Sequence, residues 1–243
     1  MKNKSFLLSF LFLFLWQVSL SQQTILSDSN LPIMVISTDI DPDTNAPTDI
    51  PDEPKVLGSM QLIYRPDGSR NYLTDSTNES FLNYKGRIGI ELRGSSSQAL
   101  DKKPYGFTTL LDDDDSNNNV SLLGMPSEND WVLNSLAYDP SMIRDYLSYT
   151  LASNTGNYAP RVAYIEVIVN GDYKGVYFLT EKVKRDSDRV NLKKIADDDN
   201  DFPDITGGYI IKADKTTGGD EIAWTMPNYG GWDTNFLHHY PKT

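Results

Sequence analysis

The 243-residue chain contains no cysteine. That absence excludes a disulfide framework, a thiol nucleophile and a lipid-modified N-terminal cysteine. Its two histidines, His238 and His239, are adjacent and close to the chain end, so a Ser-His-Asp constellation or a histidine-rich zinc site is hard to assemble. Also missing are a nucleophile elbow, a Walker loop, a dinucleotide glycine fingerprint and a His-Arg-Asp catalytic loop. No repeat and no long low-complexity linker breaks the chain, which argues against solenoids and strings of domains. Positive charge is scarce: 22 Lys and Arg stand against 34 Asp and Glu, for a formal net charge of −12. A sequence-independent grip on nucleic acid or anionic lipid is therefore excluded, and basic or metal-bound partners fit better.

What is present begins with a basic start, Lys2 and Lys4, then an almost wholly apolar run from Phe6 to Trp16 and the small residues Ser19-Leu20-Ser21. This layout predicts a signal peptide over 1–21 and export to the cell surface or beyond. The apolar run is about half of the roughly 20 residues that a bilayer crossing needs, so no membrane span is expected after its removal. Residues 22–57 read as an N-terminal strand and acidic loop, and 58–243 as one continuous domain. Asp39, Asp41 and Asp43 alternate as oxygen ligands do in a calcium loop, although the glycine and closing Glu are missing; calcium there and a solvated acidic turn both stay open. Asp112 to Asp115 and Asp197 to Asp199 with Asp201 read as solvated loops.

Hydrophobic periodicity predicts strands at Leu31 to Ile36, Met60 to Tyr64, Arg87 to Leu92 and Tyr105 to Leu111. Asp139-Pro140 predicts a helix start. Met142, Ile143, Tyr146, Leu147 and Leu151 follow at helical spacing, with Gly156 to end the helix against the sheet. Val162 to Val169, Asn170-Gly171 and Val176 to Leu179 form a predicted hairpin. Gly207 to Ile211 adds a strand, and Trp224 to Thr243 has no strong period. The expected fold class is α+β, a mostly antiparallel sheet with one principal helix. Tyr105, Trp131 and Tyr177 are expected in the core.

One segment suits anion binding. Arg93 follows the strand on the face opposite Ile90, Gly94 permits close backbone approach, and Ser95, Ser96 and Ser97 add hydroxyls and exposed amides. Lys103 re-enters on the next strand as a second cation, with Glu91 or Glu181 to orient a basic group. A polar surface turn with a structural Glu91–Arg93 ion pair is the alternative reading of the same residues.

The ordered series Arg93-Gly94-Ser95-Ser96-Ser97, Lys102-Lys103-Pro104-Tyr105, Leu122-Leu123-Gly124-Met125-Pro126, Asn129-Asp130-Trp131-Val132-Leu133 and Arg144 resembles the CotH kinase family. So do Glu166 to Tyr177, Leu179-Thr180-Glu181-Lys182, Arg189-Val190-Asn191 and Gly207-Gly208-Tyr209, and even the early Ile50-Pro51-Asp52-Glu53-Pro54-Lys55. The resemblance implies a divergent protein-kinase-like fold that uses ATP with Mg or Mn to phosphorylate Ser or Thr of secreted or surface proteins. This chain would then supply the nucleotide lobe. By that resemblance Arg93, Ser95 and Ser96 face the phosphates and Lys103 contacts them. Glu181 either pairs with a site lysine or marks the hinge beside the adenine. Arg144 and Asp145 are expected to brace the helix. The catalytic base and metal-binding Asp are expected beyond Thr243, which would leave this chain inactive alone; Trp232-Asp233 reads as a loop and Asp214 has no assigned role. The rival expectation is a non-enzymatic extracellular binding or assembly module on the same scaffold.

Overall fold

The computed structural model describes residues 26–196, 198–214, 216, 221–228 and 231–241. The predicted signal peptide lies outside them. In chain order the strands begin with β1 (Asp28–Ser29), β2 (Ile33–Thr38), β3 (Ile40–Asp41), β4 (Ala46–Pro47), β5 (Val56–Ile63) and β6 (Asn71–Tyr72). They continue with β7 (Leu82–Leu92), β8 (Tyr105–Leu110), β9 (Asp130–Asn134), β10 (Val162–Val169) and β11 (Asp172–Glu181). The last three are β12 (Ile210–Ala213), β13 (Ile222–Met226) and β14 (Thr234–Tyr240); one α-helix, α1 (Arg144–Asn154), stands among the described residues.

Seven strands close into a barrel in the order β10-β11-β9-β8-β7-β5-β2. Every neighbouring pair is antiparallel except the closing one, where β2 runs parallel to β10 with Ile33 opposite Glu166. Closure gives each strand two partners and leaves no free edge in the barrel. Side chains alternate across each strand, and the inward set fills the interior: Met34, Ile36, Met60, Leu62, Ile90, Phe107, Trp131, Leu133, Ile165, Val167, Tyr177 and Leu179 are all buried. Tyr105, Trp131 and Tyr177 lie in this core as expected. The β10–β11 hairpin turns on Asn170 and Gly171, both at positive φ, which matches the twist of the strands it joins. The Asn170 side chain also accepts from the Thr38 backbone N–H at 2.9 Å, fastening the turn to β2. A separate three-stranded sheet, β12-β14-β13, takes in the strand expected around Gly207 to Ile211 and adds β13 and β14, the latter inside the stretch after Trp224 that has no strong period.

The expected α+β lobe with a principal helix is therefore corrected to a mostly β molecule built on a closed barrel. Two physical facts account for the difference. The closing β2–β10 pair joins residues far apart in sequence, and periodicity within a strand carries no record of its distant neighbour. The helix is also shorter than its apolar spacing suggests. Met142 sits at φ 56°, so the helical path cannot pass through it, and Asp139 instead caps a turn by accepting the Arg144 backbone N–H at 2.9 Å. No residue of α1 is buried. Its contact with the barrel is narrow: the Tyr146 ring meets Tyr164 with centroids 6.0 Å apart, and the Tyr164 hydroxyl donates to the Met142 carbonyl at 2.5 Å. No helix among the described residues is long and apolar enough to cross a membrane.

Candidate functional site

Because Ile90, Phe107, Trp131 and Leu179 point inward, Glu91, Gly106, Thr108, Asp130, Val132 and Thr180 face outward on the same stretch of wall. The register sets Gly106 opposite both Glu91 and Val132, and Thr108 opposite Asp130. Lys182, just past β11, and Lys55, just before β5, reach the same strip. Lys55, Glu91, Arg93, Asp130 and Lys182 together line a small groove there. Gly106 makes the groove possible, since a Cβ at that position would lie 3.4 Å from Glu91 Oε1 and 4.0 Å from Arg93 Cδ. A longer side chain would displace both.

The charges divide into an engaged and an unengaged set. Lys55 Nζ donates to Thr108 Oγ1 at 2.6 Å, and that hydroxyl donates to Asp130 Oδ1 at 2.9 Å. The same ammonium stands 3.9 Å from both Glu91 Oε1 and Asp130 Oδ1. Lys184 Nζ donates to Glu128 Oε1 at 2.7 Å and to Asp130 Oδ2 at 3.3 Å. Arg93 and Lys182 form no side-chain hydrogen bond or ion pair with any described residue. They are the two unengaged cations of the groove, and both remain exposed.

Although the residue as a whole is exposed, protein atoms crowded around the Lys182 ammonium strip some of its water, which disfavours the charged form and lowers its pKa, with Lys55 and Arg93 adding repulsion and Asp130 opposing it. Burial likewise lowers the pKa of Arg93, which stays protonated at any pH of interest. Glu91 is raised, mainly by burial. Burial would raise Asp130 as well, but Lys182, the Thr108 hydroxyl, Lys184 and Lys55 together hold it below the usual carboxylate range. The strip thus carries a locally positive field in a chain of net negative charge, and is suited to an anion.

Beyond Arg93 the groove opens into a cleft of about 390 Å³ between the loop after β7 and the start of α1. Its walls include Gly94, Ser97, Val132, Asn134, Tyr138 and Asp145. Gly94 adopts φ +89°, and a Cβ there would fall 2.2 Å from Ser97 Oγ, so this tight bend requires glycine. The Asn134 amide donates to Asp145 Oδ2 at 3.1 Å, and the Tyr138 hydroxyl donates to the Ser96 carbonyl at 3.1 Å across the mouth.

Of the residues singled out by sequence, Arg93 lies at the junction of groove and cleft. Ser95 and Ser96 lie on the bend and the short 3₁₀ turn Ser96–Ala99, while it is Ser97 that lines the cleft. Lys103 Nζ donates to the Gln98 carbonyl at 2.6 Å and so ties the loop down from behind. Glu181 lies apart from Arg93. Its buried carboxylate accepts from Arg161 Nη1 at 2.7 Å and from the Arg161 backbone N–H at 2.9 Å, with Arg189 Nε 4.0 Å away. The exposed Arg144 pairs with the partly buried Asp139 at 3.5 Å.

Lys55, Asp130 and Lys182 were not among the sequence candidates. One signal was available: Glu181 and Lys182 are adjacent on an extended chain, so an inward Glu181 implies an outward Lys182. In the same way an inward Trp131 implies an outward Asp130.

Among the described residues no group of three or more His, Asp or Glu is arranged to hold a metal ion. Glu91 and Asp130 face ammonium groups, and the pair therefore does not fit a divalent cation. In the acidic loop, the Asp39 carboxylate is held by Arg87 at 2.5 Å, and Asp41 Oδ1 accepts the Asp43 backbone N–H at 2.8 Å.

Comparison with known proteins gives one family match. The model of a family described as CotH kinase protein matches residues 90–236, more than half of the 243. A search among curated proteins found no match.

Proposed function

The chain belongs to the CotH family, and on that basis we propose that it is the ATP-binding part of a CotH-type protein kinase whose phosphate site is the outer groove of the barrel. The observation that carries this reading is the pair Arg93 and Lys182, two unengaged cations in a strip where every other charge is neutralised by a neighbour. A polyphosphate laid along the groove meets both, and the adjoining cleft has the size and mixed lining suited to a nucleoside. Arg93 supplies a planar fork for phosphate oxygens and Lys182 a point charge. Ser95, Ser96 and Ser97 supply amides and hydroxyls on the bend, and Lys103 holds that bend in shape. The binding step runs through these groups alone, with no step through a metal. Catalysis of phosphoryl transfer rests on positioning and charge compensation, and this strip contributes both to the nucleotide end.

The acceptor in this reading is a Ser or Thr of a secreted or surface protein, with residues 1–21 directing export. Calorimetric titration of the purified chain with ATP tests the central claim. Saturable one-to-one binding that vanishes in the Arg93→Ala/Lys182→Ala double variant supports it, and the absence of binding to the native chain rejects it.

A further inference from the structure

Lys55 lies well before the stretch that the family model matches, yet its ammonium sits inside the groove. It arrives there by strand register. Val56 pairs with Ile90 in the antiparallel β5–β7 ladder, so the next residue back, Lys55, comes up beside Glu91. The Leu92 backbone N–H donates to the Pro51 carbonyl at 2.6 Å, which holds the approaching segment against β7. Gly89 supplies the bed: a Cβ there would lie 3.5 Å from Lys55 Cβ and Cδ, so the lysine stem rests where another residue would carry its side chain.

The geometry points to Lys55 as a positioning residue of the phosphate groove: it occupies Glu91 and Asp130 and so keeps Arg93 and Lys182 free for an anion. The inference rests on the phosphate-binding reading of the groove. Its charge logic is local. Glu91 and Asp130 are each 3.9 Å from Lys55 Nζ, and Thr108 links that ammonium to Asp130 through two short hydrogen bonds. Lys184 is already shared between Glu128 and Asp130. With Lys55 removed, the cations left to Glu91 are Arg93 and Lys182, and each ion pair formed this way withdraws a cation from the anion site. The N-terminal strands would thus do more than close the barrel, because they tune a site whose remaining residues all fall inside or beside the matched stretch.

The test is a set of variants titrated with ATP. Lys55→Met should weaken ATP binding by about tenfold, the scale of one displaced charge contact. Lys55→Arg should stay within about twofold of native, and adding Glu91→Gln to Lys55→Met should recover most of the loss, which a general packing defect would not do. A second readout needs no nucleotide. The Lys182 ammonium, followed by carbon-detected NMR, should titrate at higher pH in Lys55→Met, because a nearby repelling cation has gone and the carboxylates are released to it. An unmoved Lys182 overturns the inference, as does undiminished ATP affinity in Lys55→Met or failure of Glu91→Gln to rescue. If the native chain binds no ATP while Lys182 still shifts, the nucleotide reading fails and the positioning role of Lys55 stands.

Discussion

Arg87 leaves the outward face of β7 and Arg93 follows on the same side just past its end, six residues on, yet they live in opposite surroundings. Arg87 donates four hydrogen bonds to two carboxylates: to Asp39 at 2.9 and 2.5 Å and to Asp114 at 2.5 and 3.2 Å. It thereby pins the loop after β2 and the loop after β8 onto the barrel. Arg93 has no such partner, although Glu91 is its near neighbour in sequence, because Lys55 and the bed over Gly89 draw that carboxylate away. Residue type and outward facing are the same in both cases, and the partner decides whether an arginine is structural or available. The difference also sets the direction of their pKa values: donating to Asp39 and then Asp114 raises Arg87, whereas burial without an ion-pair partner lowers Arg93.

Exchanging each arginine in turn should separate the two roles. Arg93→Ala should weaken ATP binding by roughly 10–100-fold, the loss expected for one or two charged hydrogen bonds, with a melting temperature close to native. Calorimetry and thermal unfolding on the same sample read both quantities. Arg87→Ala should do the reverse. It leaves Asp39 and Asp114 facing each other across the vacated guanidinium, and should cost about 1–2 kcal/mol of stability once the partial exposure of both carboxylates is allowed for. ATP affinity should not change. If Arg87→Ala impairs binding as much as Arg93→Ala does, the contrast between the two arginines collapses.

The same contrast marks how far the sequence could be read. Alternation located the strand around Ile90, and β-branched and aromatic runs with the Asn170-Gly171 turn located those around Ile36, Phe107, Val167 and Tyr177, because each of these is a local property. Closure was not local: Ile33 meets Glu166 and Thr180 meets Val132 across long intervals. The groove follows from that non-sequential strand order, so Asp130 and Lys182 could be called outward but not called neighbours. Arg93 and its glycine bend were legible, since Gly94 is a backbone requirement. Glu181 was expected either to pair with a site lysine or to mark the hinge, and its arginine partners, Arg161 and Arg189, were not legible because they come from elements whose placement depends on the barrel. The helix was over-read for a different reason, since apolar spacing says nothing of a residue such as Met142 held at positive φ.

Acid and alkali should break the two sites at opposite ends of the pH scale. Hydrogen bonding from Arg87 holds Asp39 below its usual range, and a depressed carboxylate contributes stability that is present above the unfolded value near pH 3.9 and is lost as pH falls through the folded value. The native chain should therefore lose stability below about pH 4 more steeply than Arg87→Met, which has already lost the pair. Melting temperatures measured across acid pH give the comparison, and parallel curves would count against it. In the groove the lowered Lys182 pKa means that its positive charge fades on the alkaline side sooner than for an ordinary lysine. ATP affinity should then begin to fall at a lower pH than it would for a contact made by an ordinary lysine, whose charge is lost at about pH 10.4. Lys182→Arg should flatten that limb, because arginine keeps its charge. A pH-independent affinity in the native chain would remove Lys182 from contact with the phosphates.

The smallest effect separates a residue that touches an anion from one that shapes the loop beside it. Lys103 spends its ammonium on the Gln98 carbonyl, while Gln98 Nε2 donates to the Gly94 carbonyl at 2.8 Å and to Asp52 Oδ1 at 2.5 Å. The bend around Gly94 is thus held at several points, and losing one of them should loosen it only partly. Lys103→Ala should reduce ATP affinity by no more than about threefold, less than one full charge contact. The distinguishing measurement is the salt dependence of that affinity. A lysine in direct contact with phosphate adds to the slope against ionic strength, and a loop brace does not. If Lys103→Ala lowers the slope as much as Lys182→Ala does, Lys103 reaches the phosphates when nucleotide is bound, and the anion site has three cations rather than two.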